Sequence, residues 1–459
     1  MGGWLVDAAV TVGGEVLIVL AFLHMLSSRR SPGSMIAWTL AIFLVPYVAV
    51  PVYFLFGHRK LIRKYNKLTF TLRPVDGTQP LCDHPLERLL CATGLPPASS
   101  DNRFSLHDTP QSAYALLKEE IESAQKSIDI CLYQLKLDDV TLPLLTRLAQ
   151  RAEEGVRVRL LLDSIGSAKL YLFQKRLGFL RKAGVRVIFF MPFLQLPVRN
   201  FVNLRNHRKI YIFDNATLVT GGMNLSDDYM APDERGVYYR DFICRLEGKA
   251  VHFYAQIFEA DWAFATGTAA QTPPPAPERG GTACIQVAPS GPDTPTDGVV
   301  EGLLDAICTA QQRVWIFTPY FVPNDDFQQA LSIASHRGVE LKIVVPAHSD
   351  HLISDLGRGS FLRELASKGA QVLLYRGPVL HAKAMLFDDR CAVVGTINFD
   401  NRSLYYNFEA ASFLYSPKEI GIIDRWAGKI LGETEPYSPS ENIWQVRLEN
   451  LMRMLAPLV

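Results

Sequence analysis

Paired cysteines are the first thing this chain lacks. Its seven cysteines, Cys82, Cys91, Cys131, Cys244, Cys284, Cys308 and Cys391, are odd in number, scattered, and never spaced C-x-x-C. That pattern argues against a disulfide framework and against a zinc knuckle, and a reducing compartment is the simpler expectation. Net charge is also missing: 47 Lys and Arg against 46 Asp and Glu leave a formal +1. No whole-molecule field attracts nucleic acid, and no basic stripe with interleaved aromatics appears, so any anion must be held locally. Clustered acidic or thiol ligands are absent too, and neither a metal nor an organic cofactor is expected. With 48% hydrophobic and 20% charged residues over 459 positions, the chain is neither disordered nor strongly charged. Its length implies two or three domains, each able to bury a core.

Charge is missing most completely near the N-terminus. Residues 35–56, MIAWTLAIFLVPYVAVPVYFLF, carry none, and a bilayer core needs about 20 helical residues. Residues 8–26 form a weaker span, interrupted by Glu15, His24 and the Gly13-Gly14 pair. A signal peptide would need a basic start and a small-residue cleavage site, and neither is present. The expectation is a two-helix transmembrane hairpin. The loop between the spans holds Arg29 and Arg30, whereas Arg59, Lys60, Arg63, Lys64 and Lys67 follow the second. The heavier basic flank predicts that the main body lies on the cytoplasmic side.

The main body contains a duplication. Residues 124–163 and 310–346 each run from an apolar β-rich segment through a helix-like one into a Gly-Val turn and another apolar run. Third strand starts follow at 182–190 and 368–375. This is a β-α-β pattern, which predicts an α/β fold with mostly parallel sheets and helices on both faces. The proline-rich stretch 267–281 reads as a linker. The expected organisation is a membrane hairpin over 1–60 and repeat domains over 61–270 and 271–459.

The repeat continues through HRKIYIFDNATLVTGGMN at 207 and HAKAMLFDDRCAVVGTIN at 381. His207, Lys209, Asp214, Gly221 and Asn224 correspond to His381, Lys383, Asp388, Gly395 and Asn398. Extended chain sends i and i+2 to one face, so each His and Lys point together, while each Asp has opposite parity and sits at a turn. One H-x-K in a strand is ordinarily a buried histidine beside a snorkelling lysine. Two copies in register reverse that weighting. Packed with pseudo-twofold symmetry, the repeats would gather two imidazoles, two ammoniums and two amides. Lysine and asparagine suit an anion's oxygens, and imidazoles titrate near neutrality. Phosphoryl-type transfer through a phospho-histidine is the chemistry that set can perform, with the lysines supplying charge neutralisation.

The doubled H-x-K-x-x-x-x-D signature, each followed by G-x-x-N, resembles the phospholipase D superfamily. RNHRKIYIFD, GGMNLSDDY, TPYFVPNDDF, NFDNRSLYYNFE and the closing LAPLV resemble its bacterial, two-helix, membrane-anchored cardiolipin synthases. The resemblance covers nearly the whole chain. It implies two phospholipase D-like repeats and conversion of two phosphatidylglycerols into cardiolipin and glycerol, without a cofactor or a nucleic-acid partner, at the bacterial cytoplasmic membrane. It implies that His207 attacks phosphorus and that His381 protonates the leaving glycerol and then deprotonates the accepting hydroxyl. Lys209, Lys383, Asn224 and Asn398 would hold the phosphate, and Asp214 and Asp388 complete the catalytic motifs. An acid downstream is implied to orient each histidine: Glu409 for the second repeat and Asp241 for the first. A hydrolytic phospholipase D, or a synthase using phosphatidylethanolamine as donor, would share this core.

Two departures stand out. The second motif has Gly395-Thr396 where Gly-Ser is usual, which keeps the hydroxyl. The first repeat carries an extra apolar stretch, MPFLQLPVRNFVNLR, before its motif, suited either to the bilayer or to a packed loop. Residues 443–458 are amphipathic and are expected to close the core.

Overall fold

The computed structural model describes residues 2–27, 32–56, 70–74, 81–82, 84–194, 203–231 and 238–453. The flanking basic residues at 29, 30, 59, 60, 63, 64 and 67, and the closing LAPLV, lie outside them. The chain divides into two compact units. One comprises Met1–Lys60 with Phe193–Leu204, and the other Leu61–Pro192 with Arg205–Val459.

The smaller unit holds helices α1 (Gly2–Ser27), α2 (Pro32–Leu44) and α3 (Pro46–Phe56). Ala21, Met25, Ile42, Ala49, Val50 and Tyr53 form its core. His24, which weakens the first apolar span, is bonded through Nδ1 to Tyr53 Oη at 2.8 Å. The expected transmembrane hairpin is not supported: among the described residues no helix is long and apolar enough to cross a membrane. The second span is split at Pro46, which has no N–H to donate to the preceding turn. Part of the extra stretch in the first repeat, Phe193–Leu204, groups with these helices.

The larger unit contains two sheets of matching topology. The first has strands β1 (Arg103–His107), β2 (Ser127–Leu132), β3 (Arg157–Asp163), β4 (Arg186–Phe190), β5 (Ile210–Phe213), β6 (Thr217–Gly221) and β7 (Ile243–Glu247), in the order β1-β7-β6-β5-β2-β3-β4. The second has β8 (Gly281–Ser290), β9 (Arg313–Phe317), β10 (Glu340–Pro346), β11 (Gln371–Tyr375), β12 (Ala384–Phe387), β13 (Cys391–Gly395) and β14 (Glu409–Leu414), in the order β8-β14-β13-β12-β9-β10-β11. Short edge strands, Ser99–Asp101 and Thr434–Pro436, extend the second sheet. Each strand therefore has its counterpart seven positions later.

The sheets are not mostly parallel as expected. Only β2-β3-β4 and β9-β10-β11 pair in parallel, and every other neighbour in these matched sets is antiparallel. The reason is connection length. The motif strands β5-β6 and β12-β13 are joined by tight turns at Asp214 and Asp388, both with positive φ, too short for a parallel crossover.

Helices Pro110–Ser123 and Thr141–Glu153 bury Leu116, Leu117, Leu144 and Leu148 against β2 and β3. Thr109 caps the former, its hydroxyl accepting from Ser112 N. The helix after each sheet's last motif strand joins the repeats. Tyr254 on Lys249–Thr266 bonds Ser412 of β14 at 2.8 Å. Trp426 on Pro417–Leu431 packs edge-on against Phe242 at 4.9 Å and Phe317 at 5.2 Å.

Two further expectations are corrected. Cys82 and Cys284 form a disulfide although 202 residues separate them; no spacing rule anticipates a bridge formed only by tertiary contact. The other five cysteines are free. Helix Ile443–Arg453 does not close the core through its apolar side. Glu449 is the buried residue, paired with Arg363, while Ile443, Trp444, Leu448 and Leu451 are exposed. The 267–281 stretch is irregular up to residue 280, as a linker should be.

Candidate active site

The two motifs meet between the sheets. His207 and Lys209 occupy the lead into β5, and His381 and Lys383 the lead into β12, each pair separated by one residue and buried. Exchanged backbone bonds fix both leads. His207 N donates to Phe408 O at 2.9 Å, and His381 N donates to Arg240 O at 2.8 Å. In each case the accepting carbonyl comes from the other repeat and directly precedes the acid that holds the imidazole.

That acid is exchanged too. His207 Nδ1 lies 3.1 Å from Glu409 Oε2 and 3.0 Å from Oε1, and His381 Nδ1 lies 2.7 Å from Asp241 Oδ2. The within-repeat assignment is corrected: Glu409 serves the first-repeat histidine and Asp241 the second. The swap follows from the backbone pairing, since docking 206–207 against 408 leaves residue 409 facing His207.

Glu409 is fully buried. It accepts hydrogen bonds from Thr396 Oγ1 and Ser403 Oγ, and from Asn407 Nδ2 at 3.4 Å. The threonine that departs from the usual motif thus supplies a hydroxyl that positions the acid. At the matching position of the first repeat stands Gly222, where a Cβ would fall 2.3 Å from Asp241 Oδ2. Only glycine leaves room there for the carboxylate.

The lysines are buried beside their histidines. Lys209 Nζ donates to His207 O at 2.9 Å, and Lys383 Nζ lies 2.8 Å from His381 Nδ1. Asn224 closes the first half, its Oδ1 accepting from Gln134 N and its Nδ2 donating to Tyr229 Oη, both at 3.3 Å. In the second half, Asn398 N donates to Ser403 Oγ at 3.0 Å. The Asn398 Oδ1 is buried without a hydrogen-bond partner among the described residues.

Asp214 and Asp388 do not join this group. Asp214 accepts from the N–H groups of Gln125, Lys126 and Ser127, and Asp388 from those of Gln311, Gln312 and Arg313. Both clamp the start of a neighbouring strand. Their place as catalytic residues is corrected to a structural one, as their opposite parity indicates.

Electrostatics follow from burying two ammoniums and two imidazoles together. Burial, with Lys209 and Lys383 nearby, lowers His207 to about 4 despite Glu409. Burial and the two lysines push His381 well below its ordinary value. Burial and repulsion from Lys383 bring Lys209 to about 7, and burial brings Lys383 to about 8. Burial raises Asp241 to about 6. Burial also works against ionised Glu409, but His207, Lys209 and Ser403 outweigh it and hold its carboxyl below the usual range. The site therefore disfavours positive charge, and an anion bound between the lysines would reverse that balance.

Several contributors carried no signal in the sequence. Tyr133 packs edge-on to His207 at 5.0 Å, and Tyr229 and Tyr239 to His381 at 5.3 and 5.2 Å. Arg208, fully buried between the motif residues, bonds Glu409 O, Asp261 and Asp293. Its counterpart in the second repeat is Ala382, so the duplication does not disclose it. Among the described residues no group of His, Cys, Asp and Glu is arranged to hold a metal ion.

Comparison with known proteins agrees with the geometry. Residues 117–262 and 303–431 match the family described as cardiolipin synthase, PLD-like domain, and residues 16–58 match a phospholipase D-nuclease N-terminal family. The chain is 32% identical to the major cardiolipin synthase ClsA of Bacillus subtilis over 87% of each chain. It is 29% identical to a cardiolipin synthase of Halalkalibacterium halodurans, over 100% of this chain and 95% of that one. Among solved structures, a phosphatidylserine synthase of Haemophilus influenzae superposes with a TM-score of 0.61 at 14% identity, covering 82% of this chain and 98% of its own. That likeness extends to the fold.

Proposed function

The chain belongs to the cardiolipin synthase, phospholipase D-like family, and we propose that it is a phosphatidyltransferase that joins two phosphatidylglycerols into cardiolipin and glycerol. The observation that carries this reading is the crossed pairing of each histidine with the other repeat's carboxylate, beside both buried lysines.

In the proposed reaction, neutral His207 donates Nδ1–H to Glu409 and presents its Nε2 lone pair to phosphorus. A P–N bond forms as the P–O bond to glycerol breaks, and His381 passes a proton to the departing oxygen. His381 then takes the proton from a hydroxyl of the second phosphatidylglycerol, whose oxygen displaces His207 and leaves cardiolipin. Lys209, Lys383, Asn224 and Asn398 stabilise the charge on the non-bridging oxygens.

Membrane attachment is part of the proposal. Apolar side chains on α1 and on α2 and α3, among them Leu20, Leu23, Leu40, Phe43 and Val48, are more than half exposed. Around Pro46 the helical bonds Val45 N to Ala41 O and Ala49 N to Val45 O persist, at 2.9 and 2.8 Å. These bonds support α2 and α3 acting as one kinked membrane helix, in which a proline is tolerated, and the heavier basic flank after it favours the cytoplasmic side for the catalytic unit.

The test is product analysis of the purified full chain with phosphatidylglycerol alone. Cardiolipin and glycerol are expected, and phosphatidic acid without cardiolipin would sink the synthase reading. His207→Ala should abolish transfer and the acid-labile phospho-histidine while the protein stays folded, and substantial residual transfer would refute its role as nucleophile.

A further inference from the structure

The two histidines differ in what surrounds them. His207 has one aromatic neighbour, Tyr133, whereas the rings of Tyr229, Tyr239 and Tyr320 lie 5.3, 5.2 and 6.4 Å from His381. Tyr229 and Tyr239 stack at 4.4 Å. The outer side of this group is closed by Asp350, on the loop that follows β10. Its Oδ1 accepts from Tyr320 Oη at 2.7 Å, and its Oδ2 from Tyr239 Oη at 2.8 Å. One tyrosine comes from each repeat, so the cluster forms only when the repeats dock.

Nothing in the reaction above uses Asp350. At the corresponding end of β3 the acid is Asp163, whose carboxylate is consumed inside the protein by Ile165 N, Gly166 N, Asn206 N and Arg205. Asp350 is different: its side chain keeps 21% exposure. A carboxylate has about four lone-pair positions, and the tyrosines occupy two. Because both tyrosine hydroxyls spend their protons on Asp350, the oxygens of the cluster offer acceptors only.

We propose that Asp350, Tyr239 and Tyr320 form a subsite for a neutral polyol, the glycerol headgroup that leaves the donor lipid and, by reversal, the one that accepts the phosphatidyl group. This rests on the transferase reading of the site. Leaving and accepting oxygens occupy the same face of phosphorus, opposite His207, so one subsite beside His381 serves both half-reactions. Acceptor-only oxygens suit hydroxyl donors and reject a phosphate. An ammonium headgroup would add a cation beside His381, where Lys383 Nζ already lies 2.8 Å from Nδ1 and Lys209 is close enough to oppose the imidazole's protonation, which favours the uncharged polyol. Ionised Asp350 is consistent with this: although burial opposes it, the Tyr320 hydroxyl and His351 hold its carboxyl below the ordinary range.

The test is a partition experiment on the full chain in mixed micelles, with phosphatidylglycerol as donor and isotopically labelled glycerol, 1-propanol and ethanolamine competing as acceptors. The ratio of labelled phosphatidylglycerol to phosphatidylpropanol comes from one enzyme population and does not depend on how much protein is folded. The unaltered chain should favour glycerol. Asp350→Ala and the milder Tyr320→Phe should lower that ratio by about tenfold and a few-fold respectively. A ratio within about twofold of the unaltered chain in Asp350→Ala, or a preference for ethanolamine that Asp350→Ala abolishes, overturns the subsite. Failure of the unaltered chain to transfer to any alcohol overturns the transferase reading and the subsite with it.

Discussion

At the scale of single residues, the crossed carboxylates make the two halves of the reaction separable. Glu409 orients the imidazole assigned to attack, so Glu409→Gln should slow formation of the phosphatidyl-enzyme, by on the order of a hundredfold or more. Asp241→Asn should instead impair the proton transfers of His381, moving the pH profile of turnover. Rapid-quench measurement of the phospho-histidine against steady-state cardiolipin formation distinguishes them. A burst of phosphatidyl-enzyme surviving in Glu409→Gln would place that acid elsewhere in the cycle. The lysines make a second prediction. Burial brings Lys209 to about 7 and Lys383 to about 8, so both carry protons below that range and lose them as pH rises. Binding of sulfate, whose charge is constant there, should weaken by about tenfold or more between pH 6.5 and 8.5. An inhibition constant flat across that window would mean that both lysines stay charged. The histidines, lysines and asparagines were legible in the sequence because duplication put them in register. Tyr239, Tyr320 and Arg208 were not, because their roles come from tertiary partners that no local spacing encodes.

At the scale of elements, Asp214 and Asp388 show what the duplicated end of each motif does mechanically. Each hairpin turns through a non-glycine residue at positive φ, 54° and 51°, and each carboxylate gathers backbone N–H groups of the strand beside it. Asp388→Ala leaves those donors without that acceptor and should cost about 1–3 kcal/mol. Asp388→Asn, which keeps one acceptor and tolerates the left-handed region, should cost less. Thermal unfolding reads the difference, and the folded fraction of either variant should keep its KM for phosphatidylglycerol. A large KM change with unaltered stability would return Asp388 to the catalytic group. The same turns explain why the parallel-sheet expectation failed in part. The β-α-β periodicity of residues 124–190 and 310–375 is genuine and yields β2-β3-β4 and β9-β10-β11. The motif strands follow a different rule, set by turn length, that hydropathy does not record. Helix Ile443–Arg453 failed for another reason: periodicity finds an apolar face without saying whether protein or lipid covers it.

At the scale of the whole molecule, two observations bear on which side the catalytic unit would face under the proposed membrane attachment, and they pull in opposite directions. Five basic residues after the second apolar span against two before it favour the cytoplasmic side. The Cys82–Cys284 disulfide favours an oxidising compartment. Cys308 turns this into a measurement, being a free cysteine exposed on the catalytic unit. Treated as intact cells with a membrane-impermeant maleimide, the chain should leave Cys308 unlabelled, and it should react once the membrane is breached. Cys82 and Cys284 should then alkylate without added reductant once acid-quenched lysates are denatured and neutralised in the presence of the alkylating agent, showing that the bridge does not persist in the cell. Labelling of Cys308 from outside, with Cys82 and Cys284 resistant until reduced, would reverse the orientation. The bridge would then be a structural staple of the exported catalytic unit, and the basic flank would have to act through anionic headgroups of the other leaflet rather than as a topology signal.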